Sequence, residues 1–117
     1  MSDAPDIRLA RAAAPEEGVV VLDLAGELDL AVSDRFRSLV DEAIAERPRL
    51  VVADIAGVSF MDSTMLRELL RAHRTLEEEG SRLVVAAVQP PVQRLLELTG
   101  TDELFTLASD RDEGFTA

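Results

Sequence analysis

Apolar residues recur along this chain with two different periods, and the changes between them mark out its elements. Val19 to Ala25 is almost wholly apolar apart from Asp23 and reads as a strand that Gly26 breaks. From Ser33 the period lengthens. Phe36, Leu39, Val40, Ala43 and Ile44 stand at i, i+3, i+4, i+7 and i+8, one face of a helix whose other face carries Asp34, Arg35, Arg37, Asp41 and Glu42. Pro48 ends it. Leu50–Ile55 is apolar on both faces, as a parallel strand covered on both sides must be. A short apolar loop, Val58–Met61, leads into a second helix from about Ser63 to Glu79. It carries Leu66, Leu69, Leu70 and Leu76 on one face, with Gly80 as its C-cap. Leu83–Val88 repeats the buried-strand pattern. Pro90-Pro91 opens a short helix with Val92, Leu95 and Leu96 inward, Gly100 closes it, and Leu104–Leu107 is a last short strand. Before all of these, Ile7–Ala10 alternates like an edge strand and Pro15-Glu16-Glu17-Gly18 reads as a turn.

The predicted order is β-β-α-β-α-β-α-β. Strands alternating with helices imply an α/β fold whose mixed sheet of about five strands is mostly parallel, joined by right-handed crossovers, with three or four helices. One helical layer should cover one sheet face more heavily than the other. A chain of 117 residues suits a single domain, 1–117, and is too short for two ordinary ones. Residues 1–6 and 109–117 read as loose tails, the second polar and either frayed or weakly helical.

Composition narrows the function. The net charge is −11, and all twelve basic residues are arginine. Such acidity opposes contact with nucleic-acid phosphates or anionic membranes and suits a basic protein partner. Without lysine there is no Schiff base and no P-loop lysine; without cysteine there is no disulfide, thiol nucleophile or thiolate metal site. Trp and Tyr are absent, which removes the usual platform for stacked bases. No apolar run reaches the roughly 20 residues that span a bilayer. The first residues lack the basic and apolar regions of a signal peptide, so the cytoplasm is the expected location. A monomer is the simplest expectation for the free chain.

Candidate chemistry collects after two strands. Gly26-Glu27-Leu28-Asp29 follows one, and Val58 to Thr64 follows the next. In parallel sheets such connections share the rim at the strand C-termini, where ligands and partners are met. Glu27, Asp29, Asp62, Ser63 and Thr64 would form an acidic patch containing hydroxyls. Asp, Ser and Thr are also ordinary N-cap residues, so a solvated turn beside a helix cap explains the same letters. A serine at a helix start is exposed at the positive end of the dipole, where a phosphate is tolerated. Met61, Met65 and Phe60 cluster here. Methionines suit an adaptable binding surface, whereas Phe60 is expected to plug the end of the core. Paired carboxylates could act as acid and base, but they need a pocket that perturbs them. The single histidine, His73, falls mid-helix on the leucine stripe and reads as a half-buried structural residue. The scattered acids have no metal-ligand spacing. The chain is therefore not expected to be an enzyme.

From about Val19 to Phe105 the sequence resembles the STAS-domain family, specifically its bacterial anti-sigma factor antagonists. Leu24-Ala25-Gly26-Glu27-Leu28-Asp29, Asp54 to Thr64, and Val92 to Gly100 carry the likeness. The resemblance implies a partner switch. The unphosphorylated protein binds an anti-sigma factor that is also a serine kinase, which frees the sigma factor for RNA polymerase. The kinase then uses its own ATP, the antagonist needing no cofactor, to phosphorylate the serine that corresponds to Ser63, and a serine phosphatase reverses this. Carried over by position, Asp62 orients or caps the site and Thr64 flanks it. Glu27, Asp29, Met61, Met65 and Arg67 then join the docking surface. The family usually places glycine after the two hydroxyls, then leucine and a small residue, where this chain has Met65-Leu66-Arg67. That departure places a side chain on the expected docking surface and favours an alternative, a non-phosphorylated STAS scaffold within a signalling or lipid-transport assembly. Arg67 stands four residues after Ser63, on the same helix face.

Overall fold

The computed structural model describes residues 7–117; the expected tail at 1–6 lies outside them. Its five strands are β1 (Arg8–Ala12), β2 (Val19–Leu28), β3 (Leu50–Met61), β4 (Leu83–Ala86) and β5 (Thr106–Ala108). The helices are α1 (Ser33–Ala45), α2 (Ser63–Glu78), α3 (Pro90–Thr99) and α4 (Arg111–Gly114), with 3-10 turns at Leu30–Val32 and Thr101–Glu103. The strands form one sheet in the order β1-β2-β3-β4-β5. β1 pairs antiparallel with β2, and the other pairings are parallel. This is the expected α/β architecture with a mostly parallel mixed sheet.

Alternation along the strands sends side chains to two cores. Val20, Leu22, Leu24, Val51, Ala53, Ile55 and Val85 face the helices, where they meet Phe36 and Val40 of α1, Leu69 and Leu76 of α2, and Val92 and Leu96 of α3. The intervening residues, Val19, Val21, Leu50, Val52, Val84 and Ala86, form a smaller cluster on the opposite face. The helix-period stripes read from the sequence are the ones buried, with Leu39, Ile44, Leu70 and Leu95 only partly covered.

Several boundaries differ from expectation. β1 runs Arg8–Ala12 rather than Ile7–Ala10, β4 ends at Ala86 rather than Val88, and β5 is Thr106–Ala108 rather than Leu104–Leu107. Three larger differences have a physical cause. Gly26 does not break β2. It adopts φ 100° within the strand, between register shifts at Asp23/Ala25 and Gly26/Glu27. Glycine enters that region freely, so the strand absorbs an irregularity and continues. β3 likewise runs on to Met61, so Val58–Met61 is strand rather than loop, paired with Gly26–Leu28. Gly57 makes this possible. A Cβ there would sit 2.7 Å from the Ala25 Cβ, so the two strands approach more closely than any side chain permits.

The third correction concerns 109–117, which holds the short helix α4, as the weakly helical alternative expected, but is packed down rather than loose. Asp110 caps α4 by accepting from the Glu113 backbone N–H at 2.8 Å, and the Glu113 carboxylate accepts from the Ser109 backbone and hydroxyl. The Arg111 Nε donates to Asp54 Oδ2 at 2.9 Å. Asp23 extends this ion-pair chain to Arg8. Phe115 and Ala117 pack against the smaller cluster, and Gly114 is buried against Val52. The segment covers the sheet face that α1–α3 leave open. Without it, Val52 and Val84, both fully buried, would meet water at about 1.5–3 kcal/mol each.

Candidate functional site

β2, β3 and β4 end on one rim, and the connections that follow them gather there. Asp62 organises the junction. Its backbone is extended (φ −92°, ψ 177°), and its side chain caps α2: Oδ1 accepts from the Met65 backbone N–H at 2.9 Å. The other oxygen, Oδ2, accepts from the Leu30 backbone N–H at 3.0 Å, tying the turn after β2 to the start of α2. The Asp62 backbone N–H donates to the Leu28 carbonyl at 3.1 Å. Asp29 does similar local work, accepting from the Ala31 N–H at 2.9 Å. Both acids thus satisfy backbone donors, as the bland reading of the sequence expected, and both also hold the rim in one shape.

Ser63 is the first residue of α2, and its side chain is exposed. Thr64 is half-buried beside it, and Glu27 and Asp29 are exposed on the same rim. Arg67 is exposed one helical turn along and forms no ion pair among the described residues. Of the expected surface residues, two are displaced. Met65 is 1% exposed and Met61 5%, so both methionines belong to the core and neither offers a contact surface. Met65 stands in line with Leu69, Ala72 and Leu76 on the buried stripe of α2, and Met61 ends β3 pointing the same way as Val58. The residue after the two hydroxyls therefore adds no side chain to the rim.

The apolar surface lies elsewhere. Phe60 is 48% exposed rather than plugging the core, and Leu30 is 67% exposed at the turn that Asp62 holds. Phe60 pairs in register with Glu27. Strand alternation would place Phe60 on the same face as buried Val58, and its exposure comes from the irregular end of β3, where Ser59 and Phe60 are both turned out; nothing in the local pattern distinguishes Leu30 from a core leucine.

Below the rim, Glu68 is buried between α1 and α2. Arg37 donates to it through Nε at 3.0 Å and also through Nη2, and Arg71 adds a bond at 3.3 Å while pairing with Asp41. Hydrogen bonding from Arg37 holds the Glu68 carboxyl below the usual carboxylate range. Burial pushes the other way, and Arg71 adds to the lowering. Arg37 and Arg71 are thereby committed to the helix–helix contact.

His73 stands about 15 Å along α2 from Ser63 at the helical rise. Its ring packs edge-on against Phe105, centroids 5.7 Å apart, with Nε2 3.5 Å from Glu77. It is half-buried packing, as expected, and lies outside the rim. A shallow groove of about 300 Å³ beside the rim is lined by Ala56, Gly57, Val58, Ser59, Gln89 and Pro91, with no acid or histidine in it. Among the described residues no cluster of three or more His, Cys, Asp or Glu could hold a metal ion, and no helix is long and apolar enough to cross a membrane.

A chain with this mixed sheet, this helical layer and a hydroxyl-bearing helix start on the parallel rim has the architecture of a STAS domain. The family model for the STAS domain matches residues 11–114, and the chain belongs to that family. It is similar to the Anti-sigma F factor antagonist of Paenibacillus polymyxa, 33% identical over 100 residues that cover 85% of this chain and 86% of that protein. It is also similar to Anti-sigma-F factor antagonist RsfB of Mycobacterium tuberculosis, 29% identical over 103 residues, covering 88% and 84%. The crystal structure of an anti-sigma factor antagonist from Mycobacterium paratuberculosis matches with a TM-score of 0.83 at 27% identity, over 95% of this chain and 92% of that one.

Proposed function

We propose that this protein is an anti-sigma factor antagonist that works by partner switching at Ser63. In this reading the unphosphorylated rim binds an anti-sigma factor that is also a serine kinase, so that the sigma factor is released. The kinase supplies ATP and phosphorylates Ser63; the phosphorylated rim lets go; a serine phosphatase resets it. The protein is a binding module rather than an enzyme. The observation that carries the reading is the position of Ser63: an exposed hydroxyl at the start of α2, on a rim held rigid by Asp62, with Leu30 and Phe60 exposed nearby. Relatives named as anti-sigma factor antagonists support it.

The physics of release is direct. Phosphorylation adds about −1.5 to −2 charges at neutral pH. It does so beside Glu27, Asp29 and Asp62, on a chain already at −11. If the docked partner covers Ser63, the phosphate must be desolvated or displaced, at a cost of several kcal/mol. About 1.4 kcal/mol already lowers affinity tenfold. The scaffold alternative drew on Met65 and Arg67; with Met65 in the core, it rests on Arg67 alone.

The test is capture of partners by wild-type, Ser63→Ala and Ser63→Asp forms, together with incubation of each with ATP and the retained kinase. One phosphate on wild type, none on Ser63→Ala, and loss of binding in Ser63→Asp support the switch. Undiminished binding by Ser63→Asp would instead favour the scaffold.

A further inference from the structure

We infer that Arg67 is the counter-ion, carried on the same helix, of a phosphate on Ser63. The inference rests on the partner-switch reading for the presence of that phosphate, but its chemistry can be tested without any kinase. Ser63 and Arg67 are one turn apart on α2, with the acidic member N-terminal, the favoured orientation for an (i, i+4) pair. The arginine fork suits two phosphate oxygens at once.

Three observations single out Arg67. The nearby arginines that could compete are occupied: Arg37 by Glu68, and Arg71 by Glu68 and Asp41. Arg74 is eleven residues from Ser63, about 16 Å along the helix. The nearby acids do not occupy Arg67 either. Asp62 has both oxygens on backbone donors, and Asp29 bonds to Ala31. Arg67 is exposed and forms no ion pair among the described residues, so pairing with the phosphate breaks no existing contact.

The pairing has a consequence for the switch. It favours the dianion and weights the phosphate toward the Arg67 side of α2, so the charge presented to a partner is biased in position. The helix dipole acts on the phosphate equally in every Arg67 variant, so comparison among them isolates the guanidinium.

The test uses protein carrying genetically encoded phosphoserine at position 63, in wild-type, Arg67→Ala, Arg67→Lys and Arg67→Glu backgrounds. Phosphorus NMR then gives the second pKa of the phosphate. Arg67→Ala should raise it by about 0.3 unit and Arg67→Glu further, with Arg67→Lys between wild type and Arg67→Ala. The differences should shrink in high salt. Equal melting temperatures of the unphosphorylated forms establish that the fold is unchanged. Coincident titrations of wild type, Arg67→Ala and Arg67→Glu would overturn the pairing. Because the phosphate is installed without a kinase, failure of the pairing and failure of the switch are separate results: a kinase that ignores Ser63 leaves this titration standing.

Discussion

Replacing Asp62 tests the idea that one carboxylate holds the rim together at two points. Asp62→Ala removes the α2 cap, worth about 1 kcal/mol. It also removes the bond from Leu30, which is exposed and so is credited at the low end for a charge-assisted bond, about 0.5–1 kcal/mol. The expected loss is therefore about 1.5–2 kcal/mol. For a chain of this length, 1 kcal/mol corresponds to about 4 °C, so the melting temperature should fall by roughly 6–8 °C. Asp62→Ser separates the two contributions. A serine hydroxyl can still accept from the Met65 N–H but does not also span to Leu30, so it should lose about half as much. Amide hydrogen exchange identifies the bonds: Leu30 should lose protection in both variants, and Met65 should keep it in the serine variant. If Asp62→Ser matched wild type in stability and in Leu30 exchange, the second bond would be idle and the rim would not be braced as described. If Asp62→Ala also melted with wild type, the cap itself would contribute nothing.

Three further outcomes follow from the packing. Glu68 has a carboxyl held below its unfolded value, so its contribution is present above the unfolded carboxylate range and is lost as pH falls through the folded value. The stability gap between wild type and Glu68→Gln, about 1–2 kcal/mol in urea melts near pH 7, should therefore close below about pH 4; a gap constant to pH 3 would contradict the ion-pair account. Gly57→Ala should destabilise by about 2 kcal/mol, because its Cβ meets the Ala25 Cβ at 2.7 Å, and a neutral melt would show that β2 and β3 can separate freely. Phe115→Ala should cost about 1–2 kcal/mol for a half-buried ring and raise binding of a hydrophobic dye; no change would mean that the C-terminal segment covers nothing.

Much of the fold was legible because helix period and buried-strand pattern rarely coincide. Phe36, Val40 and Ala43, and Leu69 and Leu76, advertise their helices. Parallel strands such as Leu50–Ile55 declare themselves by being apolar on both faces. What escaped were places where one geometry overrides a local letter. Gly26 looks like a stop, yet its positive φ lets β2 continue. Val58–Met61 looks like a loop because Gly57 precedes it and Ser59 interrupts it, but the close approach at Gly57 keeps it in the sheet. The last nine residues carry too few apolar positions for any period, and their order comes from a local cap at Asp110 together with Arg111 and Phe115 finding partners far away in sequence. At the site, Ser63 was visible from the Asp-Ser-Thr run at a helix start. Met65 was also decidable: it stands four residues before Leu69, and reading it as surface neglects the helix period. Leu30 was not decidable, since exposure of a leucine depends on a turn fixed by a carboxylate thirty-two residues away.

The unbroken run of β3 to Met61 bears on the proposed switch. Ser63 follows a twelve-residue strand that β4 flanks as far as Asp54 and β2 accompanies to Met61, with only Asp62 between strand and helix. A group mounted that way can turn about its own side-chain bonds, but the backbone beneath it stays in place. Under the proposed switch, a partner fitted to the bare hydroxyl would meet the added phosphate on an unyielding floor, so release would come from the new charge and bulk rather than from a change in the shape of the rim.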